Sequence, residues 1–152
     1  MIQIATLQDI PSIIVLMKSV PGFWQASWNE GTVEQGIRAS EGMAFVWDQD
    51  DEVVGFICAH DVGFRGYISE LVVAEQVKGL GIGTQLLQYV EQEFIRRGRT
   101  VIIADVRHGA EGLYRSLGFT EADAVLLRKY MTVKAPESAS SLRTDIERTH
   151  GQ

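Results

Sequence analysis

Residues 78–84 read Lys-Gly-Leu-Gly-Ile-Gly-Thr (KGLGIGT), three glycines in five positions, set between a strand-like run and an amphipathic helical run. Glycines at 79, 81 and 83 let the backbone approach a ligand closely, and the helix that follows offers unpaired N–H groups and the positive end of its dipole. That combination is an anion cradle, suited to the pyrophosphate of a coenzyme. Two nucleotide motifs fail against it. A P-loop requires Gly-Lys-Ser/Thr after a four-residue spacer, whereas Thr84 follows Gly83 directly. The dinucleotide fingerprint is G-x-G-x-x-G early in a βαβ unit, whereas this turn is G-x-G-x-G in mid-chain.

Reading outward, the helix predicted over residues 83–97 carries Leu86, Leu87, Tyr89, Val90, Phe94 and Ile95 at helical spacing, with Gly98 placed as its C-terminal cap. Upstream, residues 67–74 (YISELVVA) predict a central strand buried on both faces. Before it, 43–48 and 52–60 are apolar, β-branched runs split by Asp48-Gln49-Asp50-Asp51, which predicts an antiparallel hairpin. The chain opens with a short strand over 1–6 and a helix over 10–19, then a loop holding Phe23, Trp24 and Trp28 and a weak helix over 33–39. Downstream, a strand over 101–106, a short helix over 109–117 ended by Gly118, and a last strand over 124–133 are expected. The order predicts an α/β layer structure forming one domain over 1–133, followed by a polar tail over 134–152.

The chain has 152 residues, 14 basic against 20 acidic, for a net charge of -6. Such a surface repels nucleic acid and favours cationic small molecules or basic peptides as partners. The cluster Arg96, Arg97 and Arg99 reads as a solvated helix end. Cys58 is the single cysteine, so no intrachain disulfide can form, and a reducing, cytoplasmic setting is expected. Asp9 and Pro11 interrupt the N-terminal apolar run, which argues against a signal peptide or a membrane span. His, Cys, Asp and Glu nowhere cluster at metal-ligand spacing, so no metal is expected.

The glycine turn resembles the GNAT superfamily of acyl-CoA-dependent N-acyltransferases. That family places Arg or Gln, then two residues, then Gly-x-Gly or Gly-x-Ala, immediately after a buried strand; Lys78 stands here for the Arg or Gln, ahead of Gly81-Ile82-Gly83. A second family element, alanine, then Leu-Tyr, then Gly-Phe, is matched by Ala110, Leu113-Tyr114 and Gly118-Phe119. The family asparagine three residues before that alanine is Arg107 here, which alters a contact commonly made to the coenzyme arm. The resemblance covers about residues 2–133. It implies a mixed, mostly antiparallel central sheet flanked by helices and splayed between the strands around 67–74 and 101–106. It also implies acetyl-CoA as co-substrate and transfer of its acetyl group to the primary amine of a small molecule or peptide. The coenzyme site would comprise Leu71, Val72, Val73, Lys78, Gly79, Gly81, Ile82, Gly83, Thr84 and Tyr114, with Leu71 and Val73 offering backbone groups to the pantetheine arm. Family members often dimerise, so a homodimer is left open.

Acyl transfer to an amine needs a neutral amine and a partner for the departing thiolate. Tyr114 resembles the family tyrosine that serves the thiolate; as a bare residue it equally reads as a helix aromatic packed on the sheet. A carboxylate at Glu70, inside an apolar strand, is costly unless partnered or used, which makes it the leading base. A solvated glutamate facing outward is the other reading, and Asp61, His60, His108 or a water relay are weaker alternatives. Trp24 and Trp28 fall where the family's acceptor loop lies, and either wall an acceptor pocket or pack in the core. A catalytically silent CoA-binding sensor and a binder of nucleotide phosphates are the rival functions.

Overall fold

The computed structural model describes residues 1–132. Five strands form one sheet in the order β1 (Ile2–Ile4), β2 (Ala44–Gln49), β3 (Glu52–Asp61), β4 (Gly66–Val73) and β5 (Ile102–Ala104). The first four make an antiparallel meander and β5 runs parallel to β4. The β2–β3 hairpin turns on Asp50 and Asp51, both at positive φ (53° and 62°). Short acidic side chains tolerate that conformation because they can bond locally to the backbone.

One face of the sheet is covered by α1 (Ile10–Ser19) and α2 (Glu30–Ala39). In α1 the buried set Ile10, Ile13, Leu16 and Met17 repeats at helical spacing, and Pro11 sits in the first turn, where its missing N–H costs nothing. The second helix begins three residues before the expected 33. Asn29 caps it: its side chain accepts from Thr32 N–H at 3.0 Å, while Thr32 Oγ1 accepts from Asn29 N–H at 3.1 Å. The other face carries α3 (Ile82–Arg96), buried through Leu86, Leu87, Val90 and Phe94, and followed by α4 (Glu111–Ser116) after β5.

Continuous burial falls on β3, where residues 54–59 are all buried, rather than on β4. The reason lies in the splay. Pairing between β4 and β5 stops at Ile68↔Ala104, and the rest of β4 runs on to Val73 with no ladder on that side. Leu71 and Val73 are accordingly half-buried at the edge of a cleft. The last expected strand does not form: 124–132 has no regular structure, with Val125, Leu127 and Tyr130 each more than 80% exposed. An apolar β-branched run becomes a strand only when a neighbour completes its ladder, and the described residues supply none. Met1–Thr120 makes one compact unit. The expected polar tail, 134–152, lies outside the described residues. Among these, no helix is long and apolar enough to cross a membrane.

Two contacts fix the sheet against α3. Arg99 Nε donates to Asp61 Oδ1 at 2.7 Å with Arg97 at 3.7 Å from Asp61 Oδ2, so two arginines of the expected solvated cluster instead tie the end of α3 to the end of β3. At Gly66 a β-carbon would lie 2.7 Å from the Phe94 ring, which is fully buried and has nowhere to move. Gly66→Ala is expected to cost about 1–3 kcal/mol by overpacking, read as a lowered urea midpoint with an unchanged m-value.

Candidate active site

Beyond β4 the chain makes one 3-10 turn (Glu75–Val77) and enters the glycine turn, where Gly79 and Gly81 both adopt φ of 83°. Glycine takes that left-handed conformation without steric cost. The first backbone bond of α3 runs from Gln85 N–H to Gly81 C=O at 3.0 Å, and no side chain caps the helix. The N–H groups of Ile82, Gly83 and Thr84 are therefore left for an anion. Lys78 beside them is tied to Glu75, Nζ to Oε1 2.7 Å, so its charge is partly neutralised locally and the backbone carries the cradle.

The cradle opens into a cleft of about 900 Å³. Leu71, Val72, Val73, Lys78, Gly79, Gly81, Ile82, Gly83 and Thr84 all line it, bringing together the proposed coenzyme residues except Tyr114. Its far wall is made by Val20, Pro21 and Phe23 from the α1–α2 loop, which the expected coenzyme set did not include, and by Arg107, His108, Gly109, Ala110 and Leu113 after β5, where the second sequence element lies. The volume lies at the upper end for ligand pockets, and the cradle at one end with splayed strand edges at the other suits an elongated acyl-CoA.

A second, smaller chamber of about 160 Å³ sits among α1, α2 and the sheet, lined by Met17, Trp28, Thr32, Val33, Gly36, Ile37, Phe56, Cys58, Ser69 and Glu70. Glu70 reaches it through a β-bulge. Toward the glycine turn the register pairs Ile57↔Leu71 and Cys58↔Glu70; toward the hairpin it pairs Ala59↔Ile68, leaving Ser69 as the extra residue of β4. Without the register slip at Ser69, the hairpin register would set Ser69 opposite Cys58 and Glu70 opposite Ile57, on the face that α3 covers. With it, Glu70 lies on the Phe56 and Cys58 side, and consecutive residues Glu70 and Leu71 border different cavities.

Burial pushes Glu70 up to about 7, with repulsion from Asp105 adding to the rise and Arg107 opposing it. Tyr114, on α4, is buried with its ring edge-on to Phe119 at 5.2 Å. Its phenol is pushed up to about 12 by burial and then by the Glu70 charge, so it stays protonated at neutral pH. Cys58 rises to about 12, chiefly through burial, and is inert as a nucleophile. Ser69 Oγ donates to Cys58 C=O at 3.2 Å and lies 3.0 Å from His60 Nε2, so His60 donates to Ser69. The other candidate bases lie elsewhere: Asp61 is held below the carboxylate range, first by its Arg99 hydrogen bond, and His108 borders the large cleft. Trp28 walls the small chamber; Trp24 packs edge-on behind it at 5.6 Å, covered by Lys18 at 5.2 Å from its ring. Among the described residues no group of three or more His, Cys, Asp or Glu could hold a metal.

Comparison with known proteins agrees with this geometry. Residues 13–119 match the model of the acetyltransferase (GNAT) family. The chain is 31% identical over 132 residues to an L-methionine sulfoximine/L-methionine sulfone acetyltransferase of Pseudomonas aeruginosa, covering 76% of this chain and 77% of that protein. In fold it is similar to the ribosomal-protein-S18-alanine N-acetyltransferase of Escherichia coli, with a TM-score of 0.71, 24% identity, and 80% and 78% of the two chains covered. It is also similar to the PaiA N-acetyltransferase of Thermoplasma acidophilum in complex with coenzyme A, with a TM-score of 0.71, 16% identity, and 82% and 92% covered. The family match, the identity to a named acetyltransferase and the splayed five-stranded sheet agree: this chain belongs to the GNAT family and is an acyl-CoA-dependent N-acetyltransferase.

Proposed function

We propose that the chain moves the acetyl group of acetyl-CoA directly to the primary amine of a compact acceptor, an amino acid or similarly small amine, seated in the chamber beside Glu70. The observation that carries this reading is the placement of Glu70 and Leu71 on adjacent positions of β4, one facing the chamber and the next facing the coenzyme cleft. An amine held at Glu70 is then next to the strand along which the thioester would lie.

In this mechanism the glycine turn holds the pyrophosphate, and backbone groups of Leu71 and Val73 hold the pantetheine arm and polarise the thioester carbonyl. Glu70 accepts a proton from the ammonium, and the neutral amine attacks the carbonyl carbon. The C–N bond forms, the C–S bond breaks, and the surplus proton of the new amide nitrogen reaches the departing thiolate by way of Tyr114, which gives one proton and regains one. Apolar walls from Met17, Val33, Ile37 and Phe56 favour a short aliphatic side chain, consistent with the sulfur amino-acid derivatives named for the Pseudomonas relative.

Free-thiol release from acetyl-CoA across a panel of amines, amino acids and peptides tests the proposal. Thiol release with small amines supports it; CoA binding without release from any amine would favour the sensor, and stabilisation by ATP or NAD but not CoA the nucleotide binder. Tyr114→Phe is expected to lower kcat about 10- to 100-fold with the KM for acetyl-CoA nearly unchanged, as for a group that acts in the transition state.

A further inference from the structure

We propose that Arg107 anchors a carboxylate on the acceptor, so that the enzyme selects amino acids over simple amines of the same shape. This rests on the placement of the acceptor amine at Glu70.

The small chamber is built to receive hydrogen-bond donors. Glu70 supplies the one charged side chain in its lining. Ser69 spends its proton on Cys58 C=O, so its remaining lone pair accepts. An amine fits that environment, whereas a free carboxylate brought beside it would meet another carboxylate and further acceptors. An amino acid could load there only with a cation close at hand.

Arg107 is that cation. It borders the coenzyme cleft after β5, and its charge acts on Glu70. Its guanidinium lies over the Phe23 ring, 4.9 Å from the centroid, and Phe23 meets Trp28 of the chamber wall edge-on at 6.2 Å. Arg38, Arg96, Arg97, Arg99 and Arg115 are each engaged in an ion pair, whereas among the described residues Arg107 is in none. A guanidinium stacked on an aromatic ring keeps its N–H edge for a planar, bidentate partner, which a carboxylate supplies. The α-carbon of an amino acid bears both the amine and the carboxylate, so an amine held at Glu70 brings the carboxylate in with it, beside the carboxylate that Arg107 already influences.

Steady-state kinetics with L-methionine sulfone and its carboxamide, which differ only at the carboxylate, decide the matter. The wild type should favour the acid by about 30-fold in kcat/KM, the size of a charge-assisted bidentate pair. Arg107→Met should collapse that ratio to within about threefold, and Arg107→Lys, which keeps the charge without the fork, should fall between. A wild-type ratio near one, or a ratio that survives Arg107→Met, overturns the assignment; survival together with weakened acetyl-CoA binding gives Arg107 to the coenzyme instead. If the wild type acetylates neither compound while other amines release thiol, the amino-acid reading itself falls, and this role with it.

Discussion

Glu70→Gln should lower kcat/KM by about 10²- to 10⁴-fold, the span of general-base catalysis, while acetyl-CoA binds with nearly unchanged affinity. The wild-type kcat/KM should fall about tenfold per pH unit below a midpoint near 7, because the base must be ionised and burial has brought its pKa to about that value. The variant should lose this limb. A thermodynamic signature should accompany the kinetic one. Glu70 titrates near 7 in the fold against an ordinary value of 4.5, so its contribution to stability is fully present below about 4.5 and is lost as the pH rises through 7. The Gln variant should thus gain about 1–2 kcal/mol over the wild type at pH 8, allowing for solvent screening, and little at pH 5. Urea melts at the two pH values check the sign. A variant inactive but no more stable at pH 8 would argue that Glu70 is solvated rather than buried for use.

Gly81→Val should weaken CoA binding more than 100-fold while leaving the domain folded. At φ of 83° a β-branched residue is strained, at a cost of about 1–3 kcal/mol. Only Gln85 Nε2, at 4.0 Å, lies within reach of the new β-carbon, so that carbon strikes no protein atom and its bulk is added to the turn that borders the cleft. Calorimetric titration with CoA, paired with circular dichroism, separates the effects. Retained CoA affinity would mean that the pyrophosphate is held elsewhere. A similar loss of CoA affinity and of the folded signal would make the turn a structural element first.

The glycine turn, α3 and the antiparallel hairpin were legible because each is governed by short-range rules: positive φ, helical periodicity, and turn chemistry at Asp50 and Asp51. The start of α2 was missed because it is set by the reciprocal Asn29 and Thr32 bonds, with few apolar residues in its first turn to mark it. The strand expected at 124–133 failed for the opposite reason, since its apolar pattern was clear but a strand also needs a partner that no local pattern announces. At the site, much of the lining of the large cleft could be read from the turn and the strand before it. The small chamber could not, because its walls come from α1, α2, β3 and β4, which meet only in three dimensions. Glu70 was visible as an uncomfortable carboxylate, yet which way it faces depends on a ladder that slips by one position at Ser69.

That slip has an evolutionary consequence. Deleting the single codon for Ser69 would restore an unbroken ladder with Ile68 still opposite Ala59 and Glu70 still opposite Cys58, so the carboxylate would keep its face and only the extra hydroxyl beside it would be lost. The chamber in this chain thus owes one of its polar groups to a single inserted residue, which an in-frame deletion could remove without moving its neighbouring carboxylate.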